Sequence, residues 1–562
     1  MHLPATLFPH QNRLTFPAYA LLALFCLSVF LPGFFTLPPI DRDEARFAQA
    51  SKQMMETGDL VTIRFQDEAR NKKPAGIYWL QAGFAKLAGV VGISDNTIWP
   101  YRLPSLLGAL LAVLLTAAVG SKLFNTQIGF VAGILLAGSL LLNVEARLAK
   151  TDAALLACIL SCMFVLAKAY LQAADKKLKN KDFLLFWGGL AAGVLIKGPI
   201  ILLPVLGTLL YLKLAKEKLG FLKKLKPLLG LPLCLLLISP WFILIAIETN
   251  GAFYREAGGG DLLAKITHGQ NWGAHNWLVG LPGLHALAAP VLLWPASLPL
   301  LLAFPWVWKS RNEKPVRFAL AWIVPVWLVF EFTLTKQLHY TLPTYPALML
   351  LAAAWIFADL KDSNPRWWRT LVLIAWGGVT LALTALPSFL PVLAERTLFF
   401  FSLVLASLVI GACIAALFLF GQEKLSLALS PLPLASFAFM LCLFGFVLPN
   451  VKRPFVSTQI VAALPEAVAP CPATVPATSS YKEPSLVFLA GTRTSFLNGP
   501  VAVAEVMRSE PCFAGVIDKE EDAAFLQHAQ DIHLDLEAPQ EIEGFNYGNG
   551  HEVHLLVYGR KP

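Results

Sequence analysis

The chain is 562 residues long and 56% hydrophobic, and only 14% of it is charged, where an ordinary soluble protein is about a quarter charged. Its net charge of +9 is spread over short loops between apolar runs, not along a basic stripe with interleaved aromatics, and this excludes a nucleic-acid-binding domain. A dozen apolar runs also exceed what a soluble core of this length needs. Runs of about 20 residues cross the hydrocarbon core as helices, because backbone polar groups find no water there.

Taken in chain order, the runs predict thirteen transmembrane spans, at about 17–37, 102–122, 127–146, 152–172, 183–197, 199–213, 227–247, 284–308, 317–335, 340–358, 370–391, 398–420 and 427–449. The first run has no convincing small-residue cleavage site, so it reads as a retained span in preference to a signal peptide. Lys197-Gly198-Pro199 reads either as a tight turn between two spans or as a break within one long hairpin. The loops at 173–182, 213–226, 309–317 and 360–369 are basic. With thirteen spans and a cytoplasmic N-terminus all four fall inside, as the positive-inside rule requires. Residues 38–100, 147–151, 248–283, 336–339 and the C-terminus then lie outside.

The first outer segment, 38–76, breaks the charge trend with both cations and anions. Asp41-Arg42-Asp43-Glu44 follows the first span directly. If a helix begins there, Asp43 and Arg46 share one face at i,i+3. A carboxylate at that place can orient or deprotonate an acceptor, or simply sit as a charged cap at a helix start. Asn71-Lys72-Lys73-Pro74 comes next, followed by Tyr78 and Trp79, a pattern that suits a lipid-linked phosphate: ammonium for the phosphate, apolar flank for the tail. The apolar stretch 77–93 is short and reads as an interfacial helix, with a further span as the alternative. Glu145-Ala146-Arg147-Leu148-Ala149-Lys150-Thr151-Asp152 joins the third and fourth spans on the same side. Asp152 is either a helix N-cap or a second functional acid. Lys197, Arg255, Lys265 and Lys336-Gln337-Leu338-His339-Tyr340 supply further polar groups at outer span ends, where function and snorkelling compete.

Beyond residue 450 the composition changes. Runs at 485–490 and 552–558 look like strands and 519–530 like a helix, giving a small α/β domain over 451–562, after a membrane domain over 1–450 whose first outer loop, 38–100, is the candidate for chemistry. Six of the eight cysteines lie in predicted spans. Cys471 and Cys512 lie in the outer domain, where an oxidising compartment allows them to pair. The sequence shows no metal-ligand cluster and no internal repeat. A transporter or flippase, the competing class, usually shows a repeat and polar residues at mid-membrane.

RDEARFAQASKQMMETGDLVTIRFQDEARNKKPAGIYWLQA resembles the first outer loop of C-type-fold (GT-C) membrane glycosyltransferases, above all the lipid A aminoarabinose transferases and more distantly the protein O-mannosyltransferases. ARLAKTDAALL, LIKGPIILLP and TKQLHYTLPTYPALMLL resemble later motifs of the same group in the same order. The resemblance implies a polytopic α-helical membrane protein and an inverting transfer of one sugar from a polyprenyl phosphate to an acceptor on the periplasmic side of the inner membrane. The sugar is then 4-amino-4-deoxy-L-arabinose or a related monosaccharide. The acceptor is lipid A or another lipopolysaccharide component, with protein O-glycosylation as the alternative. It implies catalytic roles for Asp43, Glu44 and Asp152. It implies donor or carrier-phosphate contacts for Lys73, Lys336, His339, Tyr340 and Tyr345, and in such a reaction Arg46 and Arg70 are expected to help Lys73 stabilise the leaving phosphate. The relatives commonly carry Glu where this chain has Lys72, so a metal site using that glutamate is absent or rebuilt, and the need for a divalent metal stays open. The loop 258–275 also departs from those relatives.

Overall fold

The computed structural model describes residues 13–173, 176–263, 281–358, 365–467 and 471–561. Lys265 and residues 264–275 of the divergent loop lie outside the described residues.

Each of the thirteen predicted segments contains helix. The first part of the chain forms α1 (Phe16–Phe30), α2 (Asp43–Thr57), the hairpin β1–β2 (Arg64–Phe65 and Glu68–Ala69), α3 (Gly76–Val90), α4 (Trp99–Leu123), α5 (Thr126–Gly138), α6 (Leu140–Ala146), α7 (Asp152–Leu171), α8 (Asn180–Lys197), α9 (Leu202–Leu214) and α10 (Pro227–Glu248). Then come α11 (Leu284–Leu292), α12 (Ser297–Ser310), α13 (Lys314–Phe332), α14 (Tyr345–Ile356), α15 (Arg366–Glu395), α16 (Phe400–Gly421) and α17 (Pro431–Met440). Among the described residues eight helical stretches are long and apolar enough to cross a membrane, or nine if the pair α5 and α6, bent by 67°, is one span. The protein is therefore a polytopic α-helical membrane protein.

That count takes Asn180–Leu214 as a single stretch, but its ion pairs show a hairpin. Asp182, at the start of α8, meets Lys168 near the end of α7 at 2.5 Å. Lys197, at the end of α8, meets Asp152 at the start of α7 at 2.5 Å. Glu217, just past α9, pairs with Arg317, and the neighbouring Phe318 ring lies 5.7 Å from Tyr170, again at the end of α7. Both ends of the stretch thus lie at one end of α7 and its middle at the other. Gly198 makes the turn with φ +69°, a conformation in which a Cβ is strained.

Helix α1 stops at Phe30, short of the predicted end near 37, and two buried arginines hold the chain that follows. Arg147 donates from Nε to the Pro32 carbonyl at 2.8 Å and also bonds the Val29 carbonyl. Arg102 donates to the carbonyls of Phe34, Leu37 and Pro38 at 2.8–3.1 Å. These carbonyls have no helical partner at the end of α1 and would otherwise be buried unpaired. The stitching fixes where the first outer loop begins. Helix α3 packs across α2 and α4 with Tyr78 and Gln81 buried and Leu87 and Val90 exposed. It has 15 residues, about 22 Å at 1.5 Å per residue.

The C-terminal region contains α18 (Val456–Ala463), β3 (Val475–Thr478), α19 (Pro484–Ala490), β4 (Ser495–Phe496), α20 (Pro500–Ser509), β5 (Phe513–Asp518), α21 (Asp522–Asp531), β6 (Gln540–Asn546) and β7 (His551–Tyr558). The five strands form one mixed sheet in the order β4-β3-β5-β7-β6. Cys471 and Cys512 are joined in a disulfide. The predicted helix and the strand at 552–558 are present, but residues 485–490 are helical, not a strand. Pro484 opens that helix, a favoured first position, and the Ser485 N–H is taken by the Asp41 carboxylate at 2.9 Å. A short apolar run carries no period that separates the two states. Leu486 packs on the sheet side with Val516 and Leu555, while Phe488 packs with Ala48 and Tyr101 of the membrane domain.

Candidate active site

A cavity of about 710 Å³ opens where α2, α7, α8, α9, α10 and α13 meet the outer segments. Its polar wall carries Asp43, Arg46, Arg70, Lys72, Lys73, Lys150, Thr151, Asp152, Lys197, Gln337, His339 and Tyr340. Its apolar wall includes Leu155, Val194, Leu203, Ile238, Phe242 and Val329. Six cations against two carboxylates line this space, so it is suited to an anion, and the aliphatic wall beside them is suited to a hydrocarbon chain.

Three local structures deliver the polar wall. Helix α2 starts at Asp43 and presents Asp43, Arg46 and Phe47 one turn apart. Arg42 precedes it with φ 70°. Gly58 ends it in the left-handed region, where glycine carries no Cβ penalty. The chain then turns back: the Asp59 carboxylate accepts from the Val61 and Thr62 N–H groups at 2.9 and 3.0 Å. The Gln53 side-chain amide donates to the Gln66 carbonyl at 2.6 Å and accepts from the Gln66 N–H at 2.9 Å. That return brings Arg70 to 5.3 Å from the Phe47 ring and carries Lys72-Lys73-Pro74 into the cavity. Burial and the neighbouring Arg70 lower the Arg46 pKa, while Asp43 opposes them.

The second acid is the first residue of α7, one place past the N-cap Thr151. Asp152 Oδ1 takes Lys197 Nζ at 2.5 Å and lies 3.7 Å from His339 Nε2. His339 Nδ1 lies 3.9 Å from Glu145 Oε1, which also pairs with Lys150 at 3.1 Å. Burial works against the Lys150 ammonium, but Glu145, Asp152 and Asp43 together hold its pKa above the usual lysine value. The result is a largely buried, charge-matched network in the wall of the cavity, in which each ion has an opposite partner, as low dielectric demands.

The structure thus brings together Asp43, Asp152, Arg46, Arg70, Lys73, His339 and Tyr340. It does not bring Glu44, Lys336 or Tyr345 to the cavity. Glu44 points the other way and is 1% exposed. Its two oxygens take Arg102 at 2.8 and 3.0 Å, the Ala149 N–H at 2.9 Å and the Ile40 N–H at 2.8 Å. It ties α2 to α4 and to the second acidic segment. The Lys336 ammonium turns back onto the Phe330 and Glu331 carbonyls, the unpaired end of α13. Tyr345 is fully buried in the bundle core. Arg255 donates to the Asn250 carbonyl at 3.2 Å and lies outside the lining. Lys150 and Lys197, named in their motifs but given no role there, prove to be wall residues, and their pairing with acids could not be read from one-dimensional spacing.

Among the described residues no group of three or more His, Cys, Asp or Glu side chains is placed to hold a metal. Asp152 is already taken by Lys197, and Lys72 is a cation, so this donor set does not fit a divalent ion and no step is routed through one.

The dolichyl-phosphate-mannose-protein mannosyltransferase family pattern matches residues 72–244, the stretch that runs from the paired lysines through α10. An undecaprenyl phosphate-alpha-4-amino-4-deoxy-L-arabinose arabinosyl transferase of Pectobacterium carotovorum is 29% identical over 383 residues, covering 65% of this chain and 64% of that protein. The matched region therefore spans a little under two thirds of that relative's own length. The crystal structure of ArnT from Cupriavidus metallidurans bound to undecaprenyl phosphate superposes with a TM-score of 0.69 at 18% identity, over 96% of this chain and 97% of that one. The apo oligosaccharyltransferase of Archaeoglobus fulgidus superposes with a TM-score of 0.51 at 11% identity, over 96% and 74%. The chain shares the fold of these two solved proteins. Its sequence is similar to the arabinosyl transferases and, over residues 72–244, to the protein mannosyltransferases.

Proposed function

We propose that this chain is an inverting glycosyltransferase that moves one sugar from a polyprenyl phosphate to an acceptor at the outer face of the inner membrane. One observation carries the reading: one cavity holds an exposed carboxylate, Asp43, together with Arg70, Lys72 and Lys73, with an apolar wall alongside. The carrier phosphate sits among those cations and Arg46, and its chain lies along the apolar wall. The acceptor oxygen attacks the anomeric carbon from the side opposite the phosphate. The anomeric C–O bond to the phosphate breaks, and its electron pair leaves on the phosphate oxygen. Asp43 orients the acceptor or takes its proton, and the cations stabilise the departing phosphate. Asp152, held by Lys197 and His339, fixes the rear of the site.

The relatives named for 4-amino-4-deoxy-L-arabinose favour that sugar, or a close one, and lipid A or another lipopolysaccharide component as acceptor. All thirteen predicted segments cross the membrane in this reading. The membrane domain is 1–450, the outer domain 451–562, and both the cavity and the small sheet domain face the periplasm. Single cysteines at Gly220 and Asn312 label from the cytoplasmic side, and those at Asp67 and Gln540 from outside; external labelling at 220 inverts the topology.

The decisive assay incubates the purified protein with radiolabelled undecaprenyl-phosphate sugars and lipid A in nanodiscs. Label moves to the acceptor and free undecaprenyl phosphate is released. Passage of the intact labelled lipid across the bilayer without transfer would make the protein a flippase and sink the proposal.

A further inference from the structure

The start of α2 is held from above by a part of the chain some five hundred residues away. The Asp41 N–H donates to the Tyr547 hydroxyl at 2.6 Å. The Arg42 guanidinium donates to the Gly548 carbonyl. Tyr547 and Gly548 lie at the tip of the hairpin joining β6 to β7, whose last rung pairs Asn546 with His551. That tip is itself braced: the Gly548 N–H donates to Asn546 Oδ1 at 2.8 Å, and Asn546 Nδ2 to Glu483 Oε1 at 2.9 Å, with both side chains buried. The socket closes on the one residue in this loop with a strained backbone before the site. Arg42 has φ 70° and ψ −101°, a conformation a non-glycine residue holds only when its surroundings impose it. The next residue is Asp43.

We propose that the β6–β7 tip is a positioning latch: Tyr547 and Gly548 clamp Asp41 and Arg42 and so set the direction in which the first turn of α2 presents Asp43 to the cavity. The inference rests on reading the cavity as the transfer site. The C-terminal domain then serves the reaction without touching substrate, and Tyr547, Gly548 and Arg42 are positioning residues. The rest of α2 has separate anchors, Gln49 on Thr492 at 2.7 Å and Thr492 on Glu56 at 2.8 Å. Glu44 is also held on its own, by Arg102 and the Ala149 N–H, so loosening the tip lets the residues ahead of it, Asp41 to Asp43, shift without detaching the helix.

Two variants of the full-length protein in nanodiscs test this. Tyr547→Phe removes one oxygen. Gly548→Ala sets a methyl group 2.8 Å from Asn546 Oδ1 and from Glu483 Oε1 and 3.1 Å from Arg42 Nε, so the tip has to shift. Each lowers kcat about tenfold while the affinity for undecaprenyl phosphate stays within about twofold, because Arg70, Lys72 and Lys73 are not on α2 and Arg46 lies past the Glu44 anchor. A second readout needs no transfer. In a background without free cysteines, the alkylation rate of Asp43→Cys by a charged thiol reagent changes severalfold when either tip variant is added, and that of Thr57→Cys does not. Folded tip variants with parental kcat and parental alkylation at position 43 overturn the latch. Equal changes at 43 and 57, with a lowered melting temperature, overturn it as well, because the seam then only stabilises the fold. A parent protein that transfers no sugar removes the glycosyltransferase reading, and the alkylation rates still decide the latch.

Discussion

Asp43 and Glu44 are adjacent in sequence, yet the cavity side of α2 and the side turned into the bundle treat their carboxylates in opposite ways. Asp43 is exposed at the mouth of the cavity among cations. Glu44 is sealed from water and satisfied by a bidentate arginine and two backbone N–H groups. A carboxylate with every lone-pair direction occupied has nothing left to offer a substrate. A carboxylate in an open, cation-lined space can bind and move a proton. One helical turn therefore divides its acids between chemistry and construction, and the division follows from 100° of rotation per residue.

The sharpest way to break that comparison is Asp43→Asn. The amide keeps the shape and loses the charge, so transfer should fall by about three orders of magnitude, within the range for losing a general base. Melting temperature and binding of undecaprenyl phosphate should hardly move. A folded Asp43→Asn protein with near-parental turnover would take the catalytic role away from the cavity side altogether.

Glu44→Gln probes the other side. It leaves the Arg102 guanidinium buried without a counter-charge, and breaking such a pair costs about 3–5 kcal/mol. Lower yield and a lower melting temperature are expected, with the turnover of the folded fraction within a few-fold of the parent. A catalytic Glu44 would give the reverse: normal stability and lost turnover.

These two residues also show what the sequence could reveal. Length and apolarity placed helix in each of the thirteen predicted segments, because burial in lipid imposes long apolar runs, whereas the charged helix α2 was legible only as a possible helix start at Asp43. The spacing of Asp43 and Arg46, the Lys72-Lys73-Pro74 motif and Asp152 pointed to one site, and the structure brings them together. Glu44 could not be told from Asp43 in one dimension, since its partner Arg102 is 58 positions away and reads as an ordinary residue at the start of a span. Lys336 resembled a phosphate ligand but spends its ammonium on helix-end carbonyls, and Tyr345 fell one helical turn into the core. The run 485–490 was ambiguous until the Asp41 carboxylate supplied its helix start. The contact of the β6–β7 tip with Asp41 and Arg42 had no local signature at all.

Among the cavity cations, Lys73→Ala should weaken the carrier about tenfold, in line with one charge-assisted contact. If the contact is equally strong in the bound substrate and the transition state, KM rises and kcat holds; if it meets charge growing on the leaving phosphate, kcat falls too. Undiminished binding of undecaprenyl phosphate by a folded Lys73→Ala protein would move the phosphate away from this pair of lysines.

The smallest effect concerns Asp41, whose carboxylate belongs to neither side of α2 but to the seam above it. Burial raises its pKa from 3.8 to about 6; the Ser485 hydrogen bonds oppose this, and the nearby Glu483 adds to it. A folded pKa above the unfolded one means that the folded state binds more protons between those two values, so stability falls as pH rises from about 4 to about 6 and stays reduced above. At pH 8 the ionised carboxylate is therefore a burden on the seam, and at pH 4 it is protonated and is not. Asp41→Asn removes the charge and keeps an oxygen that can accept from the Ser485 N–H. The backbone N–H that bonds Tyr547 is untouched. The variant should melt about 1–2 °C above the parent at pH 8, with the gap closing as the pH falls through 6 towards 4. Differential scanning of both proteins across that range checks it. A gap that is independent of pH would show that Asp41 is ionised at every pH tested and that the seam tolerates its charge. A variant less stable than its parent at pH 8 would show that the carboxylate, as an anion, holds α19 more tightly than its burial costs.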